Sequence, residues 1–432
     1  MTSQETWQSP IAPGISLYQA TVGERPTYPA LDGSKTCDVA IVGGGYTGLQ
    51  AAYNLAKSGA SVVLIEGCRF GDGASGRNGG QLGTGQRWWP EEMEEKIGYT
   101  RSKALFDLAE SAKRHLLDFA TDHQIDIDFM PGQMNVAHKE SYKRAYADNA
   151  EIAALRYDYP HLSFMDRQET QERLGSNRYF CGVRDTGTGH INPLKLLVGL
   201  ARVAANAGAE IFEMTKATAI RQGSGKVTIE TPQGQIVASR ALIACNAYIE
   251  NLEPVTARHV MPIRSFIGAT APLADHPDVL AGGEAVADSR FVVRYFRKSK
   301  DGRLLFGGRE AYTADNPRDI TQHIRRQIAE IYPALGNVEI THAWGGSVGI
   351  TMPRQPFVRD VMPGVTSIGG YSGHGVMLAN YCGKLYADTI LGKSADLDLF
   401  KSLDVPAFPG GAAMRAPLLF LALSWFALRD KF

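Results

Sequence analysis

The stretch CDVAIVGGGYTGLQAAYNLAKSGASVVLIE, residues 37–66, decides the architecture. Its opening, Cys37 to Val42, is a short apolar run rich in β-branched residues, the pattern of a buried strand. Gly43-Gly44-Gly45-Tyr46-Thr47-Gly48 follows at once. Leu49, Ala52, Tyr53, Leu55 and Ala56 then recur at helical spacing, and Gly59 closes the helix as a C-cap. Ser61 to Glu66 reads as a second strand, which completes a β-α-β unit of about 30 residues. Gly43, Gly45 and Gly48, placed after a strand and opening a helix, let the backbone approach a pyrophosphate whose charge rests on the helix N-terminus. Glu66, at the tip of the second strand, can accept hydrogen bonds from an adenosine ribose. An acid there favours a free 2′-hydroxyl, hence FAD or NAD over NADP.

Two further glycine clusters follow expected strands. In GDGASGRNGGQLGTG, residues 71–85, no bulky side chain blocks the backbone over Gly79-Gly80, and Ser75, Arg77, Asn78 and Gln81 are polar groups set among the glycines. A flexible surface loop is the plainer reading of the same pattern. GGYSGHG, residues 369–375, again lies between a strand and a helix. The N-terminus of that helix can stabilise negative charge on a reduced flavin ring. His374 within it reads equally well as a structural and as a catalytic histidine.

Residues 1 to about 35 are rich in Pro, Gly, Ser and Thr and read as an arm over the surface. One helix is expected over Pro90 to Leu117, short strands over Met130 to His138, and an amphipathic helix over Asn192 to Gly208 with a strand after it at Glu210 to Met214. Lys226 to Thr231 and Ile236 to Cys245 read as a hairpin and a buried strand. Ser265 to Pro272, Phe291 to Arg297 and Arg303 to Gly308 form an antiparallel region, with KSKDG as a hairpin turn. Val365 to Leu391 reads as strand, glycine loop and helix. The whole is an α/β chain: a doubly wound, Rossmann-like dinucleotide-binding domain made of 1–89, 181–253 and 343–432, interrupted by an antiparallel-sheet α+β substrate domain of 90–180 and 254–342.

Composition narrows the function. At roughly 150 residues per domain, 432 residues suit two to three domains. With 44% hydrophobic and 21% charged residues the chain has material for a core and is not a disordered one. The 45 basic residues balance 45 acidic ones, so no charge footprint points to nucleic acid. Cys37, Cys68, Cys181, Cys245 and Cys382 are scattered, which suits neither a disulfide framework nor a zinc site and fits reduced thiols in a cytoplasm. Met1 to Glu5 carries no secretory pattern. The apolar run APLLFLALSWFAL, residues 416–428, is too short to span a bilayer, which takes about 20 residues, and reads as a helix packed on the dinucleotide-binding domain rather than as a membrane anchor.

GGGYTG, SGRNGGQ and YSGHG together resemble the flavin-dependent D-amino-acid-oxidase superfamily, and within it the gamma-glutamylputrescine oxidoreductase type. DGRLLFGGR at 301–309, Trp344-Gly345-Gly346, and Thr351 with Pro356 support the likeness. It implies non-covalent FAD and oxidation of an amine to an imine that hydrolyses to aldehyde and ammonia, with oxygen or another carrier as electron acceptor. By the same resemblance Gly43, Gly45, Tyr46, Thr47 and Gly48 hold the pyrophosphate, and Glu66 with Gly67 holds the adenosine. Ser75, Gly76, Arg77, Asn78, Gly79, Gly80 and Gln81 lie along the ribityl chain and flavin. The adenine meets backbone near Ala217, Cys245 and Asn246 pass the pyrophosphate, and Gly346, Gly370, Tyr371, Ser372, Gly373, His374 and Gly375 border the isoalloxazine.

The departures steer the substrate. Sarcosine-oxidase relatives carry a flavin-linking cysteine near WGG, and no cysteine lies between Cys245 and Cys382. Dimethylglycine-dehydrogenase relatives use a histidine where this chain has Arg77 and Asn78. A carboxylate-binding lysine after SGHG is replaced by Val376-Met377, so an amine without a carboxylate at its reacting end fits better than an α-amino acid. The alternative is a D-amino acid dehydrogenase or a glycine or sarcosine oxidase-like enzyme. An apolar pocket lowers the ammonium pKa from about 10. Trp88, Trp89, Trp344 or Tyr371 can wall it, the first two reading equally as core. Tyr371, Trp344 and His374 are the catalytic candidates. Arg294, Arg297, Arg309 or Arg354 can grip a γ-glutamyl carboxylate, or serve as ordinary structural arginines.

Overall fold

The computed structural model describes residues 7–311 and 319–410. One sheet orders its strands Phe357–Met362, Val365–Gly369, Gly234–Ile243, Gly33–Val42, Val62–Ile65 and Glu210–Phe212. The last five are parallel, and Phe357–Met362 runs against its neighbour. Coverage of both faces explains the unbroken apolar run of 39–42. Val39 and Ile41 share a core with Leu49, Leu55, Leu197 and Leu378 of the helices Tyr46–Lys57, Pro193–Asn206 and Gly375–Ile390. Ala40 and Val42 point the other way, onto Ile229 and Ile236, where Ala219–Gly223 and Lys226–Thr231 close the second face.

The other sheet is mostly antiparallel, ordered Ile340–Ile350, Met261–Pro272, Arg303–Ala311, Tyr295–Lys298, Ala285–Asp288, Met130–Ala137, Cys181–His190 and Leu162–Met165. Ile324, Ile328 and Ile331 of the helix Ile320–Ile331 cover one face, over Met134, Val286 and a stacked Phe296–Phe306 pair with centroids 5.3 Å apart. Ile267, Ala269, Leu305 and Trp344 on the opposite face join the core of the first sheet.

Several expectations change. The helix of 90–117 is two helices, Pro90–Ile97 and Tyr99–Asp122, because Gly98 at φ +78° turns the chain out of the helical region. The strand expected from Phe291 starts only at Tyr295. Boundaries at 181 and 343 give Cys181–His190 and most of Ile340–Ile350 to the dinucleotide-binding part, yet both strands pair inside the antiparallel sheet. The arm is no surface strap: it forms the helix Leu17–Thr21 and buries Leu17, Tyr18 and Leu31. All five cysteines are free. Among the described residues no helix is long and apolar enough to cross a membrane, and the apolar run 416–428 lies outside them.

Candidate active site

The first sheet changes direction of growth at Gly33–Val42, which has Val62–Ile65 on one side and Gly234–Ile243 on the other. A crevice at the carboxyl ends of such strands is where α/β sheets receive dinucleotides. Gly43 (φ +111°), Glu66, Cys245-Asn246 and Gly370 all stand at these ends. A side chain on Gly48 would put Cβ 1.9 Å from the Gly43 carbonyl oxygen, and one on Gly44 would meet the Phe70 ring at 2.1 Å. The helix Tyr46–Lys57 therefore seats directly on the turn. Its N-cap, Gly45, offers no side chain to the first-turn N–H groups, so the site suits an anion in place of a cap. Glu66 accepts the Gly44 N–H at 2.8 Å and the Cys68 N–H at 3.0 Å, one on each oxygen. Burial holds its carboxyl above the ordinary range, and those two donors offset only part of that rise. Both oxygens keep lone pairs for ribose hydroxyls.

Side-chain directions differ from the motif. Tyr46 turns its hydroxyl to the Pro193 carbonyl at 2.8 Å and offers only its backbone, whose N–H reaches Ser75 Oγ at 3.2 Å. Thr47 Oγ1 is 2.7 Å from the Tyr371 hydroxyl, and both are buried. Cys245 leans on the Val42 carbonyl, with burial pushing its thiol up to about 12. Asn246, at φ +47°, takes the Gly370 N–H at 2.9 Å and so ties two strand ends together. Ala217 is buried and Gly67 is exposed beside Lys216.

The second glycine loop is braced from within. Asn78 donates to the Ala74 and Ser75 carbonyls, both at 3.0 Å, and accepts the Gly80 N–H at 2.8 Å. Gly79 lies against the Tyr295 ring, Gly76 against Gly71, and Gln81 donates to the Val286 carbonyl. Arg77 is spent on the arm and the far sheet: it donates to the carbonyls of Gly345 (2.7 Å), Pro13 (2.6 Å) and Gly14 (2.7 Å) and to Gln19 Oε1 (3.1 Å). Four of its five N–H donors are thereby spent. A Cβ on Gly346 would touch only Arg77 Cβ, at 3.7 Å, and one on Gly373 would meet nothing, so bare backbone borders open space at both.

Trp344 is 0% exposed and its indole N–H goes to the Arg77 carbonyl at 3.0 Å, with Tyr18 edge-on. Its side chain presents no open surface. Tyr371 is likewise buried, held between Thr47 and Cys382. Ser372 accepts the Thr351 N–H and donates to the Gly370 carbonyl, which shapes the loop before the helix Gly375–Ile390. His374, the N-cap of that helix, is half-buried and has Nε2 3.1 Å from the Gly85 carbonyl. A carbonyl partner makes Nε2 the donor and leaves Nδ1 as the acceptor. Burial, helped by Arg87, pushes this ring down to about 4, so it is neutral at pH 7. Trp88 lies under the Lys96 ammonium, and Trp89 packs edge-on against Tyr146.

The profile of the FAD dependent oxidoreductase family matches residues 38–389, which spans all three glycine clusters and both sheets. The chain belongs to that family. A probable oxidoreductase of Rhizobium meliloti, OrdL, is 70% identical over 99% of this chain and its own full length. The gamma-glutamylputrescine oxidoreductase of Escherichia coli is 31% identical over 96% of this chain and 98% of its own. In fold the oxidoreductase is similar to the glycine oxidase of Geobacillus kaustophilus, with a TM-score of 0.73 and 22% identity, covering 86% of this chain and 100% of that one. Its cofactor is FAD. The uncapped helix, the glycine turn and the Glu66 carboxylate are a donor and acceptor set that fits the FAD pyrophosphate and ribose.

The substrate arginines sort by geometry. Arg297 is buried and donates to the Gly79, Ile191 and Lys298 carbonyls and the Tyr18 hydroxyl, so it cannot clamp a carboxylate. Arg294 pairs with Glu330. Arg354 faces the Phe291 ring, and the Arg309 side chain lies outside the described ones. Sequence reading missed Asp72, fully buried, which gathers the Trp7 indole N–H, the Arg25 guanidinium and the Arg69 N–H. It also missed Lys113. Its signal was present: a lysine in register with the apolar positions Ala109, Ala112 and Leu116 of one helix.

Proposed function

We propose that this oxidoreductase oxidises a primary amine whose reacting carbon bears no carboxylate, of the γ-glutamylputrescine kind. The likeness to gamma-glutamylputrescine oxidoreductase over 96% of the chain carries the reading. Val376-Met377 after the third glycine cluster agrees with it, and Arg297, committed to backbone carbonyls, drops out as the grip for a γ-glutamyl carboxylate. FAD, when bound, accepts the hydride from the amine-bearing carbon. The ammonium must first lose its proton, because its positive charge opposes hydride departure. His374 is the wrong group to take that proton: a ring at about 4 against an ammonium near 10 makes the transfer uphill by about 8 kcal/mol, and an ammonium lowered by its pocket to about 8 still leaves about 5 kcal/mol. Its Nδ1 instead accepts a hydrogen bond from the neutral amine and orients the carbon. The proton goes to solvent, so the rate rises with pH. The resulting R–CH=NH2+ takes up water and releases aldehyde and ammonium.

The glycine oxidase likeness in fold favours a second reading, oxidation of a small α-amino acid. Anaerobic mixing of the holoenzyme with γ-glutamylputrescine, putrescine, glycine and D-alanine separates the two. Bleaching of the flavin by the first alone or by both amines, faster at pH 9 than at pH 7, supports the amine reading. Bleaching by glycine or D-alanine only would replace it.

A further inference from the structure

Lys113 is 4% exposed. Its ammonium lies 2.8 Å from Thr84 Oγ1, 3.1 Å from the Tyr159 hydroxyl and 2.8 Å from Glu110 Oε2. The Thr84 hydroxyl donates to Asp185 Oδ2 at 2.6 Å, and that of Tyr159 donates to Asp185 Oδ1 at 2.7 Å. Asp185, 2% exposed, also takes the Gly187 N–H at 2.9 Å. Glu110 Oε1 accepts the Gly85 N–H at 3.2 Å. One cation and two carboxylates, drawn from the helix Tyr99–Asp122 and the strand Cys181–His190, thus converge on a single loop residue and the amide after it.

Burying such a cluster is costly, and an apolar core of the same volume is often the more stable choice. The loop explains its presence. Gly83 (φ +72°) and Gly85 (φ +61°) carry no side chains by which to hold themselves, so the loop is held through the Gly83 carbonyl, which accepts the Thr188 hydroxyl at 3.0 Å, through the Thr84 side chain and through the Gly85 amide, the last two being the cluster's handles. Both glycines bear on His374. The Gly85 carbonyl receives Nε2–H, and a Cβ on Gly83 would lie 2.4 Å from the imidazole Cε1. Where this loop sits decides which ring nitrogen carries the hydrogen and where the other one faces.

We propose that the Thr84–Lys113–Asp185–Glu110 cluster is a positioning device for His374, holding Gly83 to Gly85 so that the ring keeps its Nε2–H tautomer and offers Nδ1 to the amine. None of the four touches substrate on this account. They act through the loop. The tautomer half of the inference is independent of the proposed amine, whereas the use made of Nδ1 rests on that reading.

Thr84→Val tests it in the FAD-loaded full chain, since valine keeps the volume and removes the hydroxyl. The first readout needs no substrate: two-bond nitrogen–proton correlations of labelled histidine rings, with His374 assigned through His374→Gln. The native protein and Thr84→Ser are expected to show the Nε2–H form of His374, and Thr84→Val a mixture of tautomers. The limiting rate of flavin reduction should fall about tenfold or more in Thr84→Val and recover in Thr84→Ser, as small misplacement of a reacting pair costs that much. Glu110→Gln, which loosens the Gly85 amide from another side, should give the same shift and serves if Thr84→Val does not fold. A His374 tautomer and reduction rate unchanged in both variants, with only the melting temperature lowered, would overturn the proposal. A tautomer shift in protein that oxidises no amine would support the positioning role and refute the amine reading alone.

Discussion

Replacing Arg77 by methionine separates a cofactor ligand from an anchor of the arm. The guanidinium makes four hydrogen bonds, to the Gly345, Pro13 and Gly14 carbonyls and to Gln19. Bonds to a charged group contribute roughly 1.5–3 kcal/mol each, or about 6–12 kcal/mol gross. Against this stands the burial of the cation, which pushes its pKa from 12.5 down to about 10. A depression of that size corresponds to about 3 kcal/mol. Methionine also recovers apolar contact, so a net loss of about 3–5 kcal/mol is expected, in the range seen on breaking buried charged pairs. For 432 residues the unfolding entropy near the midpoint is about 0.9 kcal/mol per kelvin, and the melting temperature should drop by about 3–6 °C. Calorimetry of the holoenzyme reads the drop. Hydrogen exchange should rise over residues 7–21, while the positions of the flavin absorbance bands stay put. An unchanged melting temperature with shifted flavin bands would refute the reasoning and return Arg77 to the cofactor.

Glu66→Ala should weaken FAD binding about tenfold or more through loss of charge-assisted ribose bonds, with a normal flavin spectrum in the loaded fraction. Equal affinity by equilibrium dialysis would remove the carboxylate from the ribose. Burial pushes fully buried His190 down to about 3, against about 6.5 in the unfolded chain. The fold favours its neutral form, so its contribution is complete above pH 6.5 and is lost as pH falls toward 3, by about 1.4 kcal/mol per pH unit. Urea unfolding at pH 7 and pH 5 should show that loss, and His190→Gln should reduce it; an equal loss in both proteins would contradict the assignment. Acid precipitation should release the flavin into the supernatant, and fluorescence migrating with the denatured chain on a gel would show a covalent bond instead.

The sheet at the crevice was readable because burial on both faces writes itself into sequence as unbroken apolar runs, as at 39–42 and 62–65. The glycine turns were readable for a related reason, since Gly44 and Gly48 have no room for Cβ. Side-chain direction was not. Tyr46 lies inside the fingerprint, yet its ring belongs to the helix Pro193–Asn206. Trp344 and Arg77 look like site residues because they flank glycines, and only the fold shows the indole N–H and four of the five guanidinium N–H groups already taken. The arm itself was misjudged on composition, because its proline and glycine carbonyls serve as acceptors for a buried cation. The helix break at Gly98 was missed because the apolar spacing continues on both sides of it.

The arm has a consequence for biosynthesis. Pro13 and Gly14 are made among the first residues, and their partners Ala343, Trp344 and Gly345 are made about 330 residues later. At about 5–20 residues per second the arm waits roughly a quarter of a minute to a minute before it can dock. The parallel sheet waits longer still, since Val365–Gly369 supplies the neighbour of Gly234–Ile243. Translation therefore delivers a chain whose nucleotide crevice closes only when almost everything has emerged. A ribosome that stops short of residue 365 yields no smaller enzyme, only an uncovered strand edge for a chaperone or a protease to find.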